Sequence, residues 1–133
     1  MTSRYLLDTN AASAILRQRE PVCARAASVP LSSLAISSVT AGELHYGLAK
    51  RPQAMALAKL VREFLRYTDI LPWADAVSPH YGTLCAALEA KGVTMAPLDL
   101  MIAAHALALG ATLVSADQAL LRIDSLKIED WSV

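Results

Sequence analysis

The sequence predicts an α/β fold in which a central, mostly parallel sheet of about four or five strands is flanked by helices on both faces. Three observations lead to this prediction. Short apolar runs alternate along the chain with longer stretches in which apolar residues recur at helical spacing. Glycines and prolines such as Gly92, Pro97 and Gly110 mark the ends and starts of the helical stretches. The length of 133 residues fits one unit, so residues 1–133 are predicted to form a single domain.

Each element has its own signal in the sequence. Five short apolar runs predict strands, at residues 4–7, 34–37, 70–71, 111–115 and 126–128. Helices are predicted at residues 9–17, 21–28, 41–50, 54–67, 75–91 and 97–109. Pro21 suits the first turn of the second helix, and Ser38, Val39 and Thr40 offer capping residues for the third. The fifth helix is expected to be interrupted or capped near Ser78 and Pro79, and Gly92 ends it.

Composition excludes several classes of protein. The net charge is zero, which argues against a broadly basic coat for nucleic acid but not against a local basic patch. The only cysteines, Cys23 and Cys85, fit neither a disulfide framework nor a zinc motif, so we expect a reducing cytoplasm. We expect no signal peptide and no membrane contact, because no apolar run approaches the ~20 residues of a membrane span. Part of the hydrophobic content of 55% is expected to serve a dimer interface or a partner groove.

Four acidic residues occupy similar places in the predicted topology. Asp8 follows the first strand, and Glu43 lies near the start of the helix after the second strand. Asp99 lies in the first turn of the helix that begins at Pro97, and Asp117 follows the strand at 111–115. In parallel sheets, sites form outside the carboxyl ends of the strands. The sequence therefore predicts that these four carboxylates gather at one edge of the sheet.

Each acid also has a local interpretation. Asp8 and Asp117 can cap the helical segments that follow them, Asp99 can favour a helix dipole, and Glu43 can be an exposed helix residue. The joint placement points further, because converging carboxylates repel one another and take up protons unless cations hold them. Oxygen ligands suit hard ions such as Mg²⁺ or Mn²⁺, and such an ion can activate water for attack at phosphorus. The three histidines, His45, His80 and His105, are interpreted as structural.

Four segments in a fixed order carry a resemblance to a known family. They are YLLDTN, ISSVTAGELHYG, LPWADAVSPHYG and APLDLMIAAHALALGATLVSAD. Together they resemble the PIN-domain family and, more narrowly, the VapC-type toxins of bacterial toxin–antitoxin pairs. The resemblance spans nearly the whole chain and implies a PIN-like three-layer sandwich. Two positions depart from the family pattern: Leu98 and Ala116 stand where polar residues are common.

The resemblance also implies a set of site residues. The acidic set of the family matches Asp8, Glu43, Asp99 and Asp117, and two supporting hydroxyl residues match Thr9 and Ser115. Asp8 and Asp99 would bind Mg²⁺, or Mn²⁺, most directly. Glu43 and Asp117 would complete the metal site directly or through water, and Glu43 would orient the attacking water.

The activity implied by the resemblance is that of a metal-dependent endoribonuclease toxin. Such a protein cleaves structured RNA, often the anticodon region of a tRNA, and so inhibits translation. The implied partners are a cognate VapB-like antitoxin that blocks the acids from an apolar groove, and a second copy of the chain in a homodimer. DNA would be contacted only indirectly, through the antitoxin. Basic residues of the first half, including Arg17, Lys50 and Arg51, can hold RNA phosphates or simply form solvated helix faces.

Two other functions share features with this sequence. A phosphotransfer domain of the haloacid-dehalogenase type needs a second aspartate two residues after the first, where this chain has Asn10. A PIN-like module that binds RNA or protein without cutting would be marked by the loss of an acid, and none of the four is missing. The non-cutting module is therefore the main alternative to the nuclease.

Overall fold

The computed structural model describes residues 4–133, so the first three residues of the predicted domain lie outside the described part. Five parallel strands form one sheet in the order β3-β2-β1-β4-β5. The strands are β1 (Tyr5–Leu7), β2 (Leu34–Ser37), β3 (Asp69–Leu71), β4 (Thr112–Val114) and β5 (Ile128–Glu129). The predicted parallel sheet is confirmed. Because β1 is central, its carboxyl end lies between the ends of β2 and β4.

Helices cover both faces of the sheet and complete the three layers. They are α1 (Thr9–Leu16), α2 (Val22–Ala27), α3 (Ser38–Ala49), α4 (Met55–Tyr67), α5 (Ser78–Ala90) and α6 (Pro97–Leu109). Successive residues of β1 serve opposite faces, as expected for a strand. Leu6 is buried in the core beneath α5 and α6, whereas Leu7 is buried in the core beneath α1, α3 and α4. Burial on both faces explains why the three inner strands β1, β2 and β4 are mainly apolar.

The starts of α3 and of the last strand differ from the sequence prediction, whereas the interruption within the fifth predicted helix agrees with it. Helix α3 begins at Ser38, because the Ser37 side chain caps it by accepting a hydrogen bond from the Val39 N–H at 3.1 Å. The prediction that residues 38–40 precede this helix as caps was therefore wrong. The predicted interruption near Ser78 is confirmed, because a 3₁₀ turn at Asp75–Val77 leads into α5. The last strand lies later than predicted, since Leu126 belongs to a turn in which its N–H bonds the Ile123 carbonyl.

No helix within residues 4–133 is long and apolar enough to cross a membrane. The longest of them have 13 residues.

Candidate active site

Three of the four predicted acids line one small cleft at the carboxyl edge of the sheet. Asp8, Asp99 and Asp117 form its polar wall, and its apolar wall includes Ile102 and Leu113. Each acid comes from a different element, because Asp8 follows β1, Asp99 lies in the first turn of α6 and Asp117 follows β4. Asp8 is more than 90 positions from Asp99 and Asp117 in the sequence. The three meet because β1 and β4 are neighbours in the sheet, and α6, which carries Asp99, directly precedes β4.

Asp8 is held in place by the start of α1. Its Oδ1 accepts a hydrogen bond from the Ala11 N–H at 2.7 Å, so the local capping interpretation is also confirmed. Burial raises the pKa of Asp8, and repulsion from Asp99 and Asp117 adds to the rise, although hydrogen bonds from Ala11 and Ser115 oppose it. Only one carboxylate oxygen is needed for the cap. The second oxygen is therefore available for a cation, which would offset the repulsion.

Asp99 also lines the cleft, and neighbouring carboxylates repel its charge as well. Partial burial raises the pKa of Asp99, and the charges of Asp117 and then Glu43 raise it further. None of the ion pairs formed by the described residues includes Asp8, Asp99 or Asp117. No ion pair from residues 4–133 therefore neutralises the negative charge of the cleft, and this charge favours a bound cation.

Ser115 connects two of the acids. This buried hydroxyl accepts a hydrogen bond from the Asp117 N–H at 3.1 Å, and its proximity lowers the pKa of the Asp8 carboxyl group. Asp117 in turn accepts from the Ala119 N–H at 3.0 Å and so caps the 3₁₀ turn at Gln118–Arg122. The family resemblance implies a supporting role for Ser115, and this role stays a prediction.

Glu43 lies beside the acid cleft in a neighbouring groove. This groove between α1, α3 and α4 is lined by Glu43, Thr9, apolar side chains and the basic residues Arg17, Lys50 and Arg51. The Thr9 hydroxyl donates to Glu43 Oε1 at 2.6 Å. The charge of Glu43 raises the pKa of Asp99, so the two carboxylates lie within electrostatic range of each other. We refer to the three-acid cleft and Glu43 together as the acidic centre, which has an apolar and basic groove at its side.

Two buried supports of this centre were missed by the sequence reasoning. Thr40 Oγ1 lies 3.2 Å from Thr9 Oγ1, and since Thr9 has one proton and gives it to Glu43, Thr40 must donate to Thr9. The signal was available, because Thr40 lies three residues before Glu43 and hence on the same side of α3. Thr40 is fully buried and was considered only as a capping residue.

The second support joins the two helices that carry Glu43 and Asp99. His105 Nδ1 of α6 lies 2.9 Å from the hydroxyl of Ser37, which caps α3. Both side chains are fully buried, and burial lowers the pKa of His105, which keeps the ring neutral. The interpretation of His105 as structural is confirmed. The contact between His105 and Ser37 links α6, which carries Asp99, to the start of α3, which carries Glu43.

The donor set suits a hard divalent cation. Within residues 4–133, no three or more His, Cys, Asp or Glu side chains lie close enough to hold a metal ion by themselves. Mg²⁺, however, is usually bound through one or two carboxylates, with waters and substrate phosphates in the remaining positions. The oxygen-only ligands and the uncompensated charge on Asp8 and Asp99 match that mode of binding. An ion held in this way retains open positions for water and phosphate.

Comparison with known proteins defines the class. The family model described as PIN domain matches residues 5–126. A tRNA(fMet)-specific endonuclease VapC from Salmonella typhimurium is 30% identical over 129 residues, covering 96% of this chain and 98% of the relative. A ribonuclease VapC2 from Rickettsia felis is 35% identical over 101 residues, covering 75% of each chain. The crystal structure of DNA-bound VapBC from Salmonella typhimurium superposes with a TM-score of 0.88 at 31% identity, covering 98% of this chain and 99% of that chain.

These matches confirm the resemblance that the sequence motifs indicated. The chain belongs to the PIN domain family and, within it, to the VapC ribonucleases, the toxins of VapBC toxin–antitoxin systems.

Proposed function

We propose that this chain is a divalent-metal-dependent endoribonuclease that acts as the toxin of a toxin–antitoxin pair and cleaves structured RNA. The observation that carries the proposal is the cleft in which Asp8, Asp99 and Asp117 meet. Burial and mutual repulsion raise the pKa of Asp8 and Asp99, so this arrangement of carboxylates is costly unless a cation stabilises it.

Each residue of the acidic centre has a proposed part in the reaction. Asp8 and Asp99 would hold the ion, and Asp117 would complete the site directly or through water. When bound, Mg²⁺ or Mn²⁺ would lower the pKa of the attacking water and offset the negative charge of the phosphate oxygens. Glu43, held by Thr9, orients the attacking water, while Ser115 fixes Asp8 relative to Asp117. The water oxygen would form a bond to phosphorus as the bond from phosphorus to the bridging oxygen of the RNA backbone breaks, and the bridging oxygen would leave with a proton from the water.

The groove beside Glu43 offers the means to hold RNA. Arg17, Lys50 and Arg51 line it, and all three are exposed. We propose that they bind phosphates of the strand that enters the acidic centre, which gives salt-sensitive but sequence-independent affinity. We take tRNA as the substrate class, and the anticodon region as the place of cutting. The name of the Salmonella relative as a tRNA(fMet)-specific endonuclease supports the choice of tRNA.

The same groove is the proposed docking surface of a VapB-like antitoxin. Its walls include the apolar side chains Leu16, Leu48, Leu57 and Val61, and its cavity of about 180 Å³ opens beside Glu43. An antitoxin segment lying there would exclude RNA, and a basic side chain of that segment could pair with the acids. Solved structures of relatives are VapBC complexes, which supports this partner. DNA would be contacted indirectly, through the antitoxin, and this chain itself has zero net charge.

Two further parts of the proposal concern assembly and location. Exposed apolar side chains such as Leu31, Tyr67 and Leu121 lie outside the groove and suit a homodimer. Cys23 and Cys85 are unpaired thiols, which suits the reducing cytoplasm where tRNA is found.

The first test is cleavage of total bacterial RNA by the antitoxin-free protein. Reactions contain Mg²⁺ or Mn²⁺, or EDTA, and wild type is compared with Asp8→Asn. Asparagine still caps α1, so Asp8→Asn keeps the fold while removing a ligand charge. We expect discrete fragments that disappear with EDTA and fall by at least about 100-fold with Asp8→Asn, since even supporting residues of metal sites contribute about 10–100-fold. Asp124→Asn, at an almost fully exposed carboxylate that does not line the cleft, is the matched control.

A PIN-like module that binds RNA or protein without cutting is the second candidate function. It is favoured by one observation, that no three ligands within the described residues converge closely enough to hold an ion alone. Intact RNA after incubation with folded protein that binds Mn²⁺ would support this module and overturn the nuclease.

A further inference from the structure

A second small cleft adjoins the acidic centre, on the side of α1 opposite the groove that Glu43 lines. It lies between α1, the end of β4 and the segment that follows β5, and it encloses about 120 Å³. Its buried floor is apolar and includes Val22 and Trp131. Its rim consists of Asn10, Ala116, Asp130 and Ser132, of which all but Asp130 are exposed. We call it the C-terminal cleft.

Two residues of this rim are continuous with the acidic centre. Asn10 lies two residues after Asp8, in the first turn of α1. Ala116 lies between Ser115 and Asp117, and Ser115 itself lines the C-terminal cleft. A strand with one phosphate at the acids would therefore bring an adjacent nucleoside to the mouth of this cleft. The side chain of Ala116 is a single methyl group and leaves this mouth open.

The polar groups of the rim suit the edge of a base. Asp130 Oδ1 accepts hydrogen bonds from the Ser132 N–H at 2.9 Å and from the Ser132 hydroxyl at 2.5 Å. These bonds lower the pKa of Asp130 and keep the carboxylate ionised, with Oδ2 free to accept an N–H. The Asn10 amide adds a donor and an acceptor. The negative charge of Asp130 would repel a phosphate. A flat base would instead pack one face on the apolar floor and direct its N–H groups toward the rim.

We propose that the C-terminal cleft holds one unpaired nucleobase of the RNA substrate beside the phosphate that is cut, and that Asp130 and Asn10 read its edge. The inference rests on the proposed function and extends it, because it assigns sequence selection to a site outside the acidic centre. Bases splayed from loops and read on their edges are the usual targets of sequence-specific RNA recognition. The basic groove beside Glu43 would supply affinity, and the C-terminal cleft would supply base preference.

The experiment is cleavage of an RNA hairpin with a randomised loop, followed by mapping of the cut ends. Wild type is compared with Ala116→Leu, which fills the mouth, and with Asp130→Asn, which replaces an acceptor oxygen by a donor. Ala87→Leu, the same enlargement in a separate groove lined by α5, is the matched control. Mn²⁺ affinity of each variant, measured by calorimetry, shows that the acids remain in place.

We expect wild type and Ala87→Leu to share one base preference next to the cut. Ala116→Leu should lose kcat/KM by about 10- to 100-fold, the range that contacts to one base supply, at unchanged Mn²⁺ affinity. Asp130→Asn should change the preferred base at one position. Wild-type rates and preference in both variants would overturn the inference while leaving the nuclease intact. Weakened antitoxin binding by Ala116→Leu with normal RNA cleavage would also overturn it, because the occupant would then be the antitoxin. A wild type that cuts no RNA would end the proposed function and this inference together.

Discussion

Replacing Ser37 by alanine removes a single hydroxyl group that serves two helices. Ser37 Oγ accepts the Val39 N–H at the start of α3 and lies 2.9 Å from His105 Nδ1 of α6. Helix α3 carries Glu43 and α6 carries Asp99, so this hydroxyl holds two of the proposed catalytic acids in register. The variant Ser37→Ala keeps the volume of the buried site almost unchanged and tests the hydrogen bonds alone.

The expected loss follows from the two bonds. Removing a serine N-cap costs about 1 kcal/mol, within a range of about 0.5–2 kcal/mol. A buried imidazole nitrogen left without a partner costs about 1–3 kcal/mol. We therefore expect the free energy of unfolding to fall by about 2–4 kcal/mol. At roughly 4 °C per kcal/mol for a domain of this length, Tm falls by about 8–16 °C.

Urea and thermal unfolding followed by circular dichroism measure this change. Ser32→Ala is the matched control, because Ser32 is exposed and substitutions at such positions usually stay within about 0.5 kcal/mol. We also expect slower RNA cleavage by Ser37→Ala under conditions where it is fully folded. A loss of stability no greater than that of Ser32→Ala would refute the reasoning, since it would mean that the Ser37–His105 bond does not couple the helices.

Two more predictions concern the acids directly. Thr9→Val removes the donor to Glu43, a bond to a charged group of about 1.5–3 kcal/mol, so kcat/KM for RNA cleavage should fall by about 10- to 100-fold. Thr9→Ser keeps the hydroxyl and should retain most activity, and equal activity of both variants would show that this bond does not matter. The second prediction is that Asp8→Asn is more stable than wild type at neutral pH in metal-free buffer. The pKa of Asp8 is higher in the folded protein than its ordinary value of 3.8. Protonation of Asp8 therefore stabilises the folded state fully below pH 3.8, and this stabilisation is lost as the pH rises through the higher pKa of the folded state. Urea unfolding at several pH values should therefore show an advantage of Asp8→Asn that vanishes in acid, and an advantage of wild type at pH 7 would contradict it.

The alternation of strands and helices was readable from the sequence because its causes are local. Apolar runs, helical spacing and terminating glycines act over about ten residues, and they located every strand to within two residues at either end. Asp8 shows how far local signals reach. Its position after a buried strand and before a helix predicted both a cap and a site at the edge of the sheet, and the structure contains the cap and the cleft.

The start of α3 shows where local reasoning fails. Several residues from Ser37 to Thr40 can cap a helix, and propensity alone does not choose among them. The choice depends on where β2 ends, and this is fixed by pairing with β1 and β3. Ser37 became the cap because it is the last residue of β2, and Thr40 was thereby placed inside α3, beneath Glu43.

The sequence by itself determined which groups follow the strands: the carboxylates of Asp8 and Asp117 come directly after strands, and Asp99 comes in the first turn of a helix. Only the tertiary structure decided how those groups are held. Thr9 meets Glu43 across 34 positions and Ser37 meets His105 across 68, and the C-terminal cleft joins α1 to the last residues of the chain. The physical reason is that such contacts form when the sheet closes and the helices pack on it. Their geometry depends on the whole chain, whereas the residue types depend on single positions.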